Sequence, residues 1–192
     1  MFFRIVGATP GQATVSALIN SDNVIIDDIW AWRADHGTGV GWTSNTAAHG
    51  VVVQGDNVIA YGLFVEHYQN YQVVWNGENG ATIMFQNEMP YDPPTQAAWS
   101  HDGVNGFASY KVGDRVRSHQ GWGLGAYCFF NVNPTIVNDH AFEGPNRPGS
   151  SLHFTDLLTV SLGGVGTINH VINETGATAN SAHQVVDLVS YP

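Results

Sequence analysis

Ala17-Leu18-Ile19-Asn20-Ser21-Asp22-Asn23-Val24-Ile25 returns as Val51-Val52-Val53-Gln54-Gly55-Asp56-Asn57-Val58-Ile59 and again as Val73-Val74-Trp75-Asn76-Gly77-Glu78-Asn79-Gly80-Ala81. A looser copy, Ser109-Tyr110-Lys111-Val112-Gly113-Asp114-Arg115-Val116, follows. The copies are offset by 34, 22 and 36 residues, which suits a unit of about twenty residues that carries loops in some copies and not in others. β-Branched and aromatic runs joined by Asn/Gly/Asp corners at that period predict rungs of a parallel β-helix, an all-β fold with long loops inserted between rungs.

Composition agrees with one such domain over residues 1–192, since no linker divides the chain and 43% hydrophobic residues can fill a core. Only 11% of residues are charged, a balance typical of extracellular all-β proteins. Sixteen acidic residues against six basic ones give a net charge of −10, without the cationic field that a phosphate backbone needs, so no nucleic-acid partner is expected. Lys111, Arg115 and Arg117 form the one basic cluster, read as a solvated strand face. Cys128, the single cysteine, lies in the apolar run Tyr127-Cys128-Phe129-Phe130 and is expected to pack in the core. No apolar stretch approaches the roughly 20 residues of a membrane span, so no membrane partner is expected. The amino end shows no signal peptide. Because the first repeat begins so near Met1, the expectation is a fragment lacking amino-terminal rungs, whose open first rung would favour self-association.

Strands are predicted at 15–20, 23–32, 51–54, 57–66, 72–76, 81–87, 107–112, 115–119, 126–130, 135–137, 157–162 and 167–173. The clusters Gly121-Trp122-Gly123-Leu124-Gly125 and Gly163-Gly164-Val165-Gly166 read as tight turns between rungs. Three insertions, 35–45, 89–105 and 138–151, leave the scaffold, and loops fixed by a regular scaffold are where binding groups usually sit.

Stacking Asp22 on Asp56 on Glu78 sets a register. It places Ile25, Ile59 and Ala81, and then Ile29, Leu63 and Phe85, in inward columns, with Trp75 beside Ile19 and Val53 in the core. Trp30, Phe64 and Gln86 then form one outward column, and Trp32, Glu66 and Glu88 the next. Rungs stand about 4.8 Å apart, so Glu66 and Glu88 are predicted to be stacked carboxylates that cannot both ionise easily. A separation of about 5 Å is the one retaining glycosidases use for acid and nucleophile. Glu66 and Glu88 are therefore the leading catalytic candidates, with Asp28, Asp35 and Asp92 in reserve. Asp27 falls on the inward parity, a costly place for a charge. Arg33 offers a simpler role for the neighbouring acids, pairing with Asp28 or Asp35.

Trp30, Trp32, Trp42, Tyr68 and Tyr91 are candidate sugar platforms, with His36 and His67 beside them, because pyranose rings stack on aromatic faces flanked by polar groups. Nine histidines include Asp35-His36, Glu66-His67, His101-Asp102 and Asp139-His140, yet none has metal-ligand spacing, so neither metal nor cofactor is expected. No G-x-S-x-G elbow and no phosphate loop is present.

Phe3-Arg4-Ile5-Val6-Gly7-Ala8-Thr9, residues 22–37, Gly62-Leu63-Phe64-Val65-Glu66-His67-Tyr68 and Phe85-Gln86-Asn87-Glu88-Met89-Pro90-Tyr91-Asp92-Pro93-Pro94 resemble the carboxy-terminal half of secreted actinobacterial and fungal proteins. These are pectate-lyase-like β-helix proteins, many with a discoidin-type carbohydrate-binding module. The resemblance implies a right-handed parallel β-helix, secretion and a polysaccharide substrate, with β-1,3- and α-1,3-glucanases as analogues, and it carries over no catalytic residue. The expectation is a glucanase-like glycoside hydrolase. The alternatives are a non-catalytic glycan-binding β-helix and a metal-dependent polysaccharide lyase or oxidase.

Overall fold

The computed structural model describes residues 2–5, 11–146 and 148–192. Of the stretches singled out above, Val6-Gly7-Ala8-Thr9 and Arg147 lie outside the described residues. The strands are Phe2–Ile5 (β1), Ala13–Ile19 (β2), Ile25–Arg33 (β3), Ala47–Val53 (β4), Ile59–Glu66 (β5), Val73–Trp75 (β6), Gly80–Glu88 (β7) and Ser100–His101 (β8). After them come Val104–Asn105 (β9), Tyr110–Val112 (β10), Ser118–Cys128 (β11), Val137–Glu143 (β12), Ser151–Ser161 (β13), Thr167–Ile172 (β14) and Val185–Tyr191 (β15).

Larger strands alternate between two sheets. One has the order β1-β3-β5-β7-β11-β13-β15 and the other β14-β12-β10-β6-β4-β2. Every pairing within them is parallel except β13 with β15. This is the topology of a parallel β-helix: each turn adds one strand to each sheet. The antiparallel β15 carries no copy of the repeat, and it covers the edge of β13 that would otherwise stay open.

The repeated Asn-Asp corner holds the turns together. Asp22 Oδ1 accepts from Asp56 N at 2.8 Å, and Asp56 Oδ1 accepts from Glu78 N at 2.8 Å. Beside that ladder Asn57 donates to Asn23 and Asn79 donates to Asn57, at 3.3 and 3.2 Å. All three asparagines have φ between 54° and 57°, the left-handed region that Asn tolerates better than other side chains. The corners also approach closely, since a Cβ at Gly77 would lie 1.8 Å from the Gly55 carbonyl oxygen. Asn57→Ala should lower the unfolding free energy by about 2 kcal/mol, because two hydrogen bonds and the left-handed preference are lost together. Asn57→Gly should lose less, and urea denaturation of both variants measures the difference.

The register agrees with the stacking of the first three copies, with Ile29 beside Leu63 beside Phe85 and Trp30 beside Phe64 beside Gln86. The fourth copy is one residue out, because Tyr110 rather than Ser109 stands beside Val73. A second correction concerns parity. Asp28, Gly62, Met84, Gly123 and Asp156 occupy equivalent positions in five neighbouring strands, and all have φ between 48° and 66°. A left-handed residue inside a strand is a bulge that switches which side chains face inward. Ile26, Ala60 and Thr82 are therefore the buried ones before the bulge, whereas Ile25 is 70% exposed and Ile59 and Ala81 are half-buried. Asp27 is exposed, so its expected burial cost does not arise.

Other boundaries move for related reasons. Gly121-Trp122-Gly123-Leu124-Gly125 is not a turn but the interior of β11, which joins two predicted strands. The third insertion shrinks, because 137–143 form β12. Lys111 lies in β10 and pairs with Glu143 at 2.9 Å, while Arg115 and Arg117 follow in a corner, so the three do not share a strand face. Cys128 is buried, and burial pushes its thiol up to about 12.

Between the sheets lie Trp75, Phe85, Tyr110, Phe142 and Phe154. Trp75 stacks on Tyr110 at 6.1 Å, as its column with Ile19 and Val53 predicts. His119 sits inside this core with its Nε2 3.0 Å from the Tyr110 hydroxyl, and burial pulls its pKa down to about 3, so the ring is neutral.

Candidate functional site

Beyond the bulge the side chains on the outer face of the first sheet fall into rows that cross the strands. Trp30, Phe64, Gln86, Gly125 and Leu158 form one row, followed by Asp187 of β15. The next contains Trp32, Glu66 and, continuing the same register, Glu88 and Tyr127. The hydrogen bond from His67 N to Glu88 O at 2.8 Å holds that register at the strand ends. Glu66 and Glu88 thus project from adjacent rungs at the carboxyl ends of β5 and β7, where the 35–45 and 89–105 loops leave the scaffold.

The environment of Glu66 is that of an acid kept protonated. Its pKa rises from 4.5 to about 7, first because burial strips water from the charged form, and further because Glu88 and Asp35 repel it. The Trp30 indole N–H donates to Glu66 Oε2 at 2.9 Å and pulls the other way. Glu88 Oε2 accepts a short bond from the Tyr91 hydroxyl and lies 3.5 Å from His67 Nε2. The Tyr91 ring is wedged between His67 and Phe129, with centroids 4.5 and 5.2 Å away, so it positions Glu88.

Asp35 joins this group from the first loop. Its Oδ1 lies 2.7 Å from His36 Nδ1 and 3.9 Å from His67 Nε2. His67 follows Glu66 at a corner with φ 63°, and its ring is buried. Its Nδ1 is 3.1 Å from the Met89 carbonyl, which can only accept, so Nδ1 carries the proton and Nε2 faces Asp35 and Glu88. Burial lowers its pKa despite the pull of those two acids.

Several expected platforms are filled from within. Tyr68 is 0% exposed and its hydroxyl donates to Ser16 Oγ at 2.8 Å, so it is a core residue and no platform for a sugar. Trp32 is 8% exposed, lying against Trp30 at 6.0 Å and His36 at 5.4 Å. The Trp42 ring lies under the Arg33 guanidinium at 5.8 Å. His67 is buried too, and it cannot present a face to a sugar. Trp30 and His36 remain open to solvent.

Two reserve acids lie apart from the pair. Asp92 is held bidentate by Arg33, at 2.8 and 2.9 Å, a role expected of Asp28 or Asp35. Asp28 is the first member of the bulge column, nearer the start of β3 than the carboxylate row. Two residues not singled out as site groups belong here: Gln86, whose side chain bonds Glu66, and Arg33. The outward column that held Gln86 was the signal for the first. Arg33 and Asp92 are separated by 59 residues, and nothing local pairs them. Among the described residues no three His, Cys, Asp or Glu side chains gather in a way that could hold a metal ion.

Stacked parallel sheets with carboxylates and tryptophans at the strand ends define a β-helix protein with a polar, aromatic-rimmed site. Residues 1–88 match the model of the LAM55 pectate lyase-like domain. Over its whole length the chain is 54% identical to an exo-beta-1,3-glucanase of Streptomyces sp. (strain SirexAA-E / ActE), of which it covers 32%. It is similar in structure to sacteLam55A from Streptomyces sp. SirexAA-E, with a TM-score of 0.94 and 54% identity over 100% of this chain and 35% of that one. A sacteLam55A variant in complex with glucose gives a TM-score of 0.95 at 53% identity, again over 100% of this chain and 34% of that one. The chain spans about a third of the length of these relatives.

Proposed function

We propose that this chain is a right-handed β-helix carrying the catalytic carboxylates of a secreted glycoside hydrolase that cleaves β-1,3-glucan. Right-handed crossovers are the rule for parallel strands in one sheet. The observation that carries the reading is the Glu66–Glu88 pair: two carboxyl groups on adjacent rungs, with Glu66 pushed up to about 7 beside an exposed Trp30. Glycoside hydrolysis needs that division of labour, one carboxyl group protonating the leaving oxygen while the ionised one assists attack at the sugar carbon. Tyr91 fixes Glu88, and Trp30 fixes Glu66. The linkage is supported by the 54% identical relative, an exo-beta-1,3-glucanase, and a sugar ligand by the glucose-bound structure of the sacteLam55A variant.

The test is incubation of the purified chain with a panel of α- and β-glucans, with and without EDTA, reading products by mass. Glucose or short oligosaccharides should appear from β-1,3-glucan and be unaffected by EDTA. Binding to insoluble glucan without release of sugar would make this a non-catalytic glycan-binding protein, and loss of activity on chelation would point to metal-dependent chemistry. The anomer first released, read by NMR, separates direct attack by the ionised carboxylate from attack by water.

A further inference from the structure

Beside the carboxylate row, the outer face of the first sheet has a trough that shares only Tyr127 with that row. It has a volume of about 370 Å³, within the range of small-molecule sites. Its floor is β11, where Gly123 carries no side chain and the Tyr127 ring reaches back over Gly125. Met84 and Gln86 of β7 form one wall, and Asp156 and Leu158 of β13 the other.

Three observations mark it as more than a gap between strands. First, it is continuous with the carboxylate pair: Gln86 both lines the trough and donates from its side chain to Glu66. Second, Tyr127 of β11 folds its ring back over Gly125, so its ring and hydroxyl stand at the trough. Third, Met84 has φ 64° inside a strand and is still 51% exposed. A bulky side chain in that conformation costs about 1–2 kcal/mol, and exposure returns no burial energy to offset it.

We propose that this trough is a binding subsite for the β-1,3-glucan chain beyond the sugar held at Glu66 and Glu88, an assignment that rests on the proposed glucanase reading. Met84 and Leu158 offer apolar surface to pyranose faces, and Asp156 and Asp187 offer polar atoms to their hydroxyls. The rows cross the strands, so a bound chain runs along the coil axis, one rung after another.

Gly123→Asn tests it, because the bulge column already accepts Asp at Asp28 and Asp156, so a side chain at this left-handed position is compatible with the backbone. A six-unit β-1,3-gluco-oligosaccharide, titrated by calorimetry, should bind Gly123→Asn about tenfold more weakly than the parent chain. Met84→Gly removes a wall and relieves the left-handed strain, so it should weaken binding while leaving the unfolding midpoint no lower. Parent-like affinity in both folded variants would overturn the subsite. Failure of the parent chain to cleave any glucan would instead count against the hydrolase reading, since the titration reads binding alone.

Discussion

Glu66→Gln and Glu88→Gln each lower the rate of β-1,3-glucan hydrolysis by about 10²- to 10⁴-fold, the contribution of a positioned acid or base. Gln keeps the shape and hydrogen-bonding capacity of each side chain and removes the proton that the pair exchanges, so a smaller loss at both positions would sink the assignment. The pH profile gives a second test. Activity should fall as pH rises through about 7, where Glu66 loses the proton that burial and its acidic neighbours keep on it. Stability should follow the same group with the opposite outcome on substitution. Between 4.5, its ordinary value, and about 7, the folded chain holds a proton that the unfolded chain has released. The contribution of Glu66 to stability therefore declines as pH rises across that window. Because the carboxyl group is partly open to solvent, the effect is muted. Glu66→Gln removes it, so the unfolding midpoint of that variant should be less sensitive to pH between 5 and 8 while its activity is lost. That combination separates a functional acid from a structural one, because a carboxyl kept for stability would not destabilise the fold when ionised.

The coil period and the Glu66–Glu88 register were legible because they depend on short polar corners whose side chains bond to the next copy. Asp22, Asp56 and Glu78, with Asn23, Asn57 and Asn79, form two ladders, and each member needs its equivalent one turn away. Inward and outward parity was less legible. Strict alternation fails at the bulge, and the signal for it was split among residue types: Gly62 and Gly123 inside strands mark a bulge, Asp28 and Asp156 tolerate it, and Met84 gives no hint. The antiparallel β15 has no repeat to announce it. Burial at corners was not legible at all, and so Tyr68 and His67 looked like surface groups although tertiary packing covers both. The carboxylate row survived these errors because Glu66 and Glu88 both lie beyond the bulge, in strands that shift together.

Asp92→Ala should cost about 3–5 kcal/mol of folding stability, because it strands a buried charge. Arg33 is 0% exposed, and all five of its N–H groups are engaged. Nε donates to the Asn45 carbonyl, Nη1 to the His67 carbonyl and Asp92, and Nη2 to the Gly41 carbonyl and Asp92. One guanidinium thereby joins the end of β3, the 35–45 loop, the corner that carries His67 and the 89–105 loop. Removing the carboxylate leaves the carbonyls in place but nothing to balance the charge, and water cannot readily replace it. Arg33→Lys should cost nearly as much, since an ammonium cannot span those acceptors in one plane. The double variant Arg33→Met with Asp92→Leu, which removes both charges, should recover most of the loss from Asp92→Ala. Urea denaturation of the single and double variants measures each value. A single-variant cost below about 1 kcal/mol would mean that Asp92 is not the group that holds the site loops together, and its place among the catalytic candidates would reopen.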